Sequence, residues 1–233
     1  MPNATTTREP LETRDTRQRD LLPPNRLETL TAVVVGVGAV GRQVALQLAA
    51  IGVPRLTLID PDTVETVNLA PQGFFEADLG RPKVDATADL CLQMNPAVIV
   101  TRHRSRFQKG QALDARTALF CAVDSITARR FVWEAVRDRA GFFADARMSG
   151  EVVRVLAAAD DATRRHYPGT LFSQAQAHAG RCTARSTIFT ANIAAALMLE
   201  QLSRWLRGLP LDADLQLNLF SSELDVTPPL SIE

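Results

Sequence analysis

Residues 31–60 read TAVVVGVGAVGRQVALQLAAIGVPRLTLID, and this stretch decides the fold. The short β-branched run over 31–36 is typical of a strand buried in a parallel sheet. Apolar residues recur at helical spacing over 39–52, and the run over 55–60 predicts a second strand that ends in an acid. The stretch therefore predicts one strand–helix–strand unit, the building block of a parallel sheet.

The turn between the first strand and the helix carries Gly-x-Gly-x-x-Gly, formed by Gly36, Gly38 and Gly41. The first glycine permits a tight turn, the second lets the backbone approach phosphates, and the third lets helix and strand pack closely. The following helix offers free N–H groups to an anion. Asp60 stands at the spacing of an acid that binds ribose hydroxyls. The motif predicts a nucleotide site but leaves NAD, FAD and ATP open.

Strands and helices continue to alternate along the chain. Helices are predicted over 82–94, 126–139 and 187–207, strands over 97–102, 117–123, 142–146 and 151–158, a hairpin in the C-terminal tail, and loops over 61–81 and 159–185. This order predicts an α/β fold: a Rossmann-like, mostly parallel sheet flanked by helices, with a C-terminal antiparallel extension.

The length of 233 residues suits either one large domain or one core with small appendages. Residues 1–26 are polar and are predicted to form an N-terminal arm with at most a short helix. Residues 27–233 are predicted to form a single domain. Its nucleotide-binding half is expected over 27–145 and its C-terminal half over 146–233.

Composition excludes several classes of function. Acidic and basic residues number 26 each, and a net charge near zero argues against a dedicated binder of nucleic acid or anionic membranes. No apolar run reaches the ~18 residues of a membrane span, and the polar N terminus lacks the apolar core of a signal peptide. We therefore expect a cytoplasmic protein with no membrane partner. The cysteines, Cys91, Cys121 and Cys182, form no C-x-x-C pair, so no structural zinc is expected.

Five further motifs follow one another in a recognisable order. They are Arg-Asp-Thr-Arg-Gln at 14–18, Asp-x-Asp-x-Val at 60–64, Asn-Leu-Ala-Pro-Gln at 68–72, Gly-Arg-Pro-Lys at 80–83 and CAVDSITAR at 121–129. Together they resemble the motifs of the ThiF/MoeB-type adenylyltransferases, a family shared with ubiquitin-activating enzymes. The resemblance extends over nearly the whole chain.

This resemblance implies ATP-dependent adenylation, with Mg²⁺, of the C-terminal carboxylate of a small ubiquitin-like or sulfur-carrier protein that ends in Gly-Gly. It implies a homodimer in which Arg17 reaches the ATP of the neighbouring subunit. Asp60 would hold ribose, Asn68 and Lys83 the phosphates, and Asp124 the Mg²⁺ ion. The full nucleotide-binding set implied is Gly36, Gly38, Gly41, Arg42, Asp60, Asp62, Asn68, Gln72, Lys83, Asp124 and Arg129. The catalytic residues implied are Lys83, Arg17 and, for a second step, Cys182.

One departure from the family pattern bears on the phosphates. Pro71 stands where the family carries an arginine that helps to hold them. Arg42, Arg81 and Arg17 are the candidate replacements. A catalytically weak or inactive relative that acts as a binding module is therefore the first alternative function. An NAD-dependent oxidoreductase is the second, and it leaves Asn68, Lys83 and Asp124 unexplained.

Cys182 is the candidate for a covalent second step. It precedes the long predicted helix and resembles the cysteine that leads into the corresponding helix of single-domain ubiquitin-fold activating enzymes. The neighbouring arginines and the helix N terminus would favour its thiolate. Cys182 is predicted to take the acyl group as a thioester, the alternative being a loop cysteine without a role. Cys91 and Cys121 are predicted to lie in the core, and Arg147 either lines the channel for the partner's tail or forms a salt bridge.

Overall fold

The computed structural model describes residues 14–110, 112–172 and 187–227. The strands in this part of the chain are β1 (Thr31–Val35), β2 (Arg55–Ile59), β3 (Ile99–His103), β4 (Thr117–Cys121), β5 (Phe142–Ser149), β6 (Val152–Ala158), β7 (Asp214–Asn218) and β8 (Glu223–Thr227). The helices are α1 (Pro24–Leu27), α2 (Ala39–Ile51), α3 (Leu69–Gln72), α4 (Lys83–Met94), α5 (Ile126–Val136), α6 (Asp161–His166) and α7 (Ile188–Arg207).

The strands form one mixed sheet in the order β3-β2-β1-β4-β5-β6-β7-β8. The five strands from β3 to β5 run parallel, and β6, β7 and β8 each run antiparallel to the strand before them. The predicted α/β fold with a C-terminal antiparallel extension is thus confirmed. The predicted tail hairpin is the pair β7–β8.

Helices cover both faces of the parallel part of the sheet. Val34 of β1 belongs to an apolar cluster with Val44 of α2 and Met198 of α7, whereas Val33 points to the opposite face and joins a cluster with Trp133 of α5. A strand covered on both faces needs an unbroken apolar run, because successive side chains alternate between the faces. This requirement accounts for the sequence TAVVV at the centre of the sheet.

The two segments predicted as loops contain short helices. Within 61–81 the chain forms α3 and two 3₁₀ turns, and Phe74 packs with Val64 and Ala86, which ties the connection to α4. Within 159–185 the chain forms α6, which starts where the Asp160 side chain accepts a hydrogen bond from the Thr163 N–H at 2.9 Å. Both predictions missed helices of only four to six residues, which are too short to show a periodic apolar pattern.

The described end of the N-terminal arm is part of the domain. Gln18 Nε2 donates to the Ile51 carbonyl at 2.8 Å and Arg14 donates to the Ala50 carbonyl at 3.1 Å, so both side chains occupy orphan carbonyls at the end of α2. Helix α1 crosses the predicted boundary at residue 26, and the predicted boundary at residue 145 falls inside β5. None of the helices in the described residues has the length and apolar character that a membrane crossing requires.

Candidate functional site

The turns that follow β1, β2 and β4 meet at one edge of the sheet. The Gly36 N–H donates to the Ile59 carbonyl at 2.9 Å, and the Ala122 N–H donates to the Val35 carbonyl at 2.8 Å. Strand β1 lies between β2 on one side and β4 on the other. The turn after β1 and the turn after β4 therefore leave the sheet in opposite directions. In open parallel sheets, this switch point is the crevice in which ligands bind.

The glycine turn is tightly packed at two of its positions and open at the third. Gly36 has a φ of +86°, and a Cβ there would lie 2.7 Å from the Ala122 carbonyl oxygen. A Cβ at Gly41 would lie 1.8 Å from the Gly36 carbonyl oxygen, so helix α2 can approach the turn only without a side chain. The atoms nearest to a Cβ at Gly38 would be those of the Gln72 side chain, at 3.8 Å or more, which leaves backbone accessible to a ligand.

Asp60 holds the glycine turn in place. Its carboxylate is buried and accepts hydrogen bonds from the Val37 N–H at 2.6 Å and from the Asp62 N–H at 2.8 Å. Burial raises the pKa of Asp60, while these two hydrogen bonds and the nearby Lys83 ammonium oppose that shift. Each carboxylate oxygen keeps a second lone pair, which a ribose hydroxyl can use.

Lys83 brings a positive charge to the same edge. It is the first residue of α4 and is 7% exposed, and its Nζ lies 3.2 Å from Asp62 Oδ2, whose side chain is 62% exposed. The Asn68 Oδ1 accepts from the Glu65 N–H at 3.0 Å and closes the turn before α3. The Gln72 Oε1 is buried without a hydrogen-bond partner among the described residues.

Asp124 and Arg129 both follow β4 but face different surroundings. Asp124 is exposed at the carboxyl end of the strand. Arg129 is buried, donates to the Val123 carbonyl and forms an ion pair with Asp145. The Arg129 guanidinium is therefore bound in the protein interior, whereas the Asp124 side chain is exposed to solvent.

Asp145 is the centre of a buried cluster that the sequence analysis did not single out. Its fully buried carboxylate accepts from Arg147 Nε at 2.9 Å and from the Tyr167 hydroxyl at 2.9 Å, in addition to pairing with Arg129. Of the two interpretations of Arg147, the structure confirms the salt bridge. An acid inside the apolar run FFADAR is the signal that could have found this cluster, because a buried carboxylate needs a partner.

Arg17 is not brought to the site of its own chain. It is exposed in a 3₁₀ turn whose Gln18 contacts the C-terminal end of α2, whereas the glycine turn lies at the N-terminal end of the same helix. Thirteen helical residues separate these ends by ~20 Å.

The cysteines fall into two groups. Cys91 and Cys121 are buried, as predicted, and burial raises the pKa of the Cys91 thiol to about 12. Both are thus unsuited to nucleophilic chemistry. Cys182 lies outside the described residues.

Comparison with known proteins identifies the family. The model of the ThiF family matches residues 17–225. The chain belongs to the ThiF family. Among curated relatives of this ThiF-family chain, the maize adenylyltransferase and sulfurtransferase MOCS3-1 is 36% identical over 101 residues, or 43% of the chain. The molybdopterin-synthase adenylyltransferase of Salmonella typhimurium is 36% identical over 94 residues, or 40% of the chain.

A third relative, the catalytic subunit of the NEDD8-activating enzyme E1 of Caenorhabditis elegans, is 33% identical over 109 residues, or 46% of the chain. The matches cover 22%, 36% and 25% of the three relatives, in the order given. The ThiF-family chain therefore spans between about a fifth and about a third of the length of these proteins.

Solved structures confirm the fold of this ThiF-family member. PaaA superimposes with a TM-score of 0.73 and 20% identity, covering 99% of the chain and 79% of PaaA. Escherichia coli MccB, solved with MccA-N7isoASN, superimposes with a TM-score of 0.75 and 17% identity, covering 95% of the chain and 72% of MccB. Another MccB structure contains ATP and superimposes with a TM-score of 0.72 at 17% identity, covering 94% of the chain and 72% of MccB.

Proposed function

We propose that this ThiF-family protein is an adenylyltransferase that activates the C-terminal carboxylate of a small ubiquitin-like or sulfur-carrier protein, in the cytoplasm. The observation that carries the proposal is the meeting of the open glycine turn, Asp60 and the buried Lys83 at one edge of the sheet. The names of the curated relatives, two of them adenylyltransferases, support the class of reaction. The proposed partner ends in Gly-Gly, as the resemblance of the sequence motifs implies.

The polar groups of the site match the ribose and the phosphates of ATP. Asp60 offers lone pairs to the ribose, and the backbone around Gly38 leaves room for phosphates at the N terminus of α2. Lys83 supplies a point charge for the phosphates, with Asn68 and Gln72 as polar neighbours on the same connection. The buried, unpartnered Gln72 Oε1 supports a site that is completed by a ligand.

Asp124 is the proposed Mg²⁺ ligand. Mg²⁺ is commonly held by one or two carboxylates together with substrate phosphates, so a single exposed aspartate beside the phosphate site suffices. The ion would neutralise charge on the pyrophosphate that leaves.

The proposed reaction needs no general base. A C-terminal carboxyl group has a pKa of ~3.5, so it arrives ionised at neutral pH. One carboxylate oxygen attacks the α-phosphorus of ATP, and the bond to the bridging oxygen breaks as pyrophosphate leaves. The protein holds two anions together and stabilises the developing charge through Lys83 and the backbone N–H groups of the glycine turn.

Calorimetric titration tests this function without a partner protein. We expect the chain to bind ATP·Mg²⁺ but not NAD, and we expect Asp124→Ala to lose the Mg²⁺-dependent part of the affinity. Glu134→Ala, on the solvent side of α5, serves as the control variant. Binding of NAD without ATP would instead make the protein an oxidoreductase, and clean ATP binding without pyrophosphate exchange with any carrier or peptide would make it a binding module.

We further propose that the Cys182 thiolate then attacks the acyl carbonyl of the adenylate, so that the bond to the phosphate oxygen breaks, a thioester forms and AMP leaves. We expect Cys182→Ala to abolish a thiol-labile adduct with the carrier while sparing ATP–pyrophosphate exchange. Cys182→Ser is the matched variant, because its hydroxyl would form an ester that resists thiols. Gel electrophoresis with and without reductant follows the adduct, and its persistence in the alanine variant would contradict the proposal.

A further inference from the structure

Arg42 carries a buried positive charge that the described part of the chain leaves without a carboxylate. It is the fourth residue of α2, directly after Gly41, and it is 3% exposed. Its Nε and Nη2 atoms have no hydrogen-bond partner among the described residues. The guanidinium lies over the ring of Phe74, with 4.7 Å between Cζ and the ring centroid, and 5.9 Å from the centroid of Phe75.

The Asp78 carboxylate, whose charge raises the pKa of Arg42 against the effect of burial, is engaged elsewhere. Asp78 acts on Arg42 at a distance, but its Oδ1 pairs with Arg81 at 2.8 Å and its Oδ2 accepts from the Phe75 N–H at 3.1 Å. An arginine stays charged in proteins, and a buried charge without a partner destabilises the folded state. The Arg42 guanidinium thus has the properties of an anion-binding group.

A second group with no partner points to the same place. The Gln72 Oε1 is buried and unpartnered, and its side chain lies against Gly38 of the glycine turn. Gln43 Nε2 donates to the Gln72 carbonyl at 3.3 Å, which fixes α3 against the start of α2. Arg42 Nη1 lies 3.5 Å from the position that a Cβ would take at Gly73. The guanidinium of Arg42 therefore lies beside the segment that follows Pro71.

The other two candidate replacements for the missing arginine are less suited. Arg81 is engaged by Asp78 and Asp89. Arg17 lies at the far end of α2. Of the three, Arg42 alone combines burial, unpaired N–H groups and a position beside both the glycine turn and α3.

We propose that Arg42 supplies, from α2, the phosphate-binding guanidinium that the family resemblance implies for the position of Pro71. The inference rests on the proposed function, because it assumes that the anion is the phosphate chain of ATP. A guanidinium offers parallel N–H groups that match phosphate oxygens, which suits it to this role. The guanidinium that binds the phosphates thus comes from α2 instead of α3 and serves the same site.

The decisive variant is Arg42→Met, which keeps most of the apolar stem and removes the charge. We expect ATP·Mg²⁺ affinity to fall at least tenfold while adenosine binds as before, because adenosine has no phosphates. We also expect the urea midpoint of the ligand-free protein to stay the same or rise, since a buried unpaired charge has been removed. Arg116→Met, an exposed arginine on the loop before β4, controls for the type of substitution.

Restoring the family residue completes the test. We expect Pro71→Arg in the Arg42→Met background to recover ATP affinity to within a few-fold of the wild type. Undiminished ATP binding by Arg42→Met, or a lowered urea midpoint with adenosine affinity lost as well, would overturn the inference and leave the proposed function standing. A wild-type protein that binds no ATP would overturn both.

Discussion

Replacing Arg17 with alanine is expected to lower the rate of adenylation by a factor on the order of 10² or more. This effect is expected although Arg17 lies ~20 Å from the glycine turn of its own chain. The reason is that we propose a homodimer, as the family resemblance implies, in which each Arg17 reaches the phosphates of the neighbouring subunit. An arginine supplied by a partner stabilises charge that develops during phosphoryl transfer. Light scattering should give the mass of two chains for both the wild type and Arg17→Ala.

Mixing two inactive variants separates this role from simple surface charge. Co-expression of Arg17→Ala with Asp124→Ala should restore about a quarter of the wild-type pyrophosphate exchange, because half of the dimers are mixed and each has one complete site. Arg19→Ala, two residues away and also exposed, is the matched variant and should exchange normally. A monomer with full activity would contradict the dimer, and no recovery on mixing would place the effect of Arg17 within its own chain.

Replacing Asp145 with asparagine is expected to destabilise the protein by about 3–5 kcal/mol. The substitution removes the carboxylate that pairs with Arg129 and Arg147 and accepts from the Tyr167 hydroxyl, so one buried and one partly buried guanidinium group lose their counter-charge. For a chain of this length the melting temperature should fall by about 10 °C. Urea unfolding measures the free energy, and an unchanged m-value confirms that the transition remains the same.

Asp138→Asn is the control for this prediction. Asp138 also pairs with an arginine, Arg137, at 3.3 Å, but its side chain is 81% exposed and water screens the interaction. We expect its urea midpoint to match that of the wild type. Equal stability of Asp145→Asn and the wild type would mean that water enters the cluster and solvates the arginines.

The parts of the fold that sequence predicts well are those with a strong periodic pattern. The unit over 31–60 combines a β-branched run, a helical repeat and a glycine motif, and each of these independently favours the observed structure. The site residues of this unit could also be predicted, because parallel strands place Asp60 and the glycine turn at the same edge of the sheet. The helices α3 and α6 were missed since four to six residues carry no measurable period.

The charges within the site were harder to predict than the elements that carry them. Arg42 follows the glycine turn and Arg129 follows β4, and the sequence predicts both as nucleotide ligands. Only three-dimensional packing shows that Arg129 meets the buried Asp145, whereas Arg42 lies over Phe74 with two unpartnered nitrogen atoms. Asp145 lies sixteen residues beyond Arg129, so no local pattern links the two.

The order of the strands also governs when the site can form. The central strand β1 pairs with β2 about 25 residues later, but with β4 only about 85 residues later, and closing such a long loop is slow. During synthesis, one edge of β1 therefore stays open until residue 121 has left the ribosome. Gly36 packs against Ala122, so the nucleotide corner is completed at that same moment. Shorter nascent chains expose an apolar strand edge, and we expect chaperones to protect it until then.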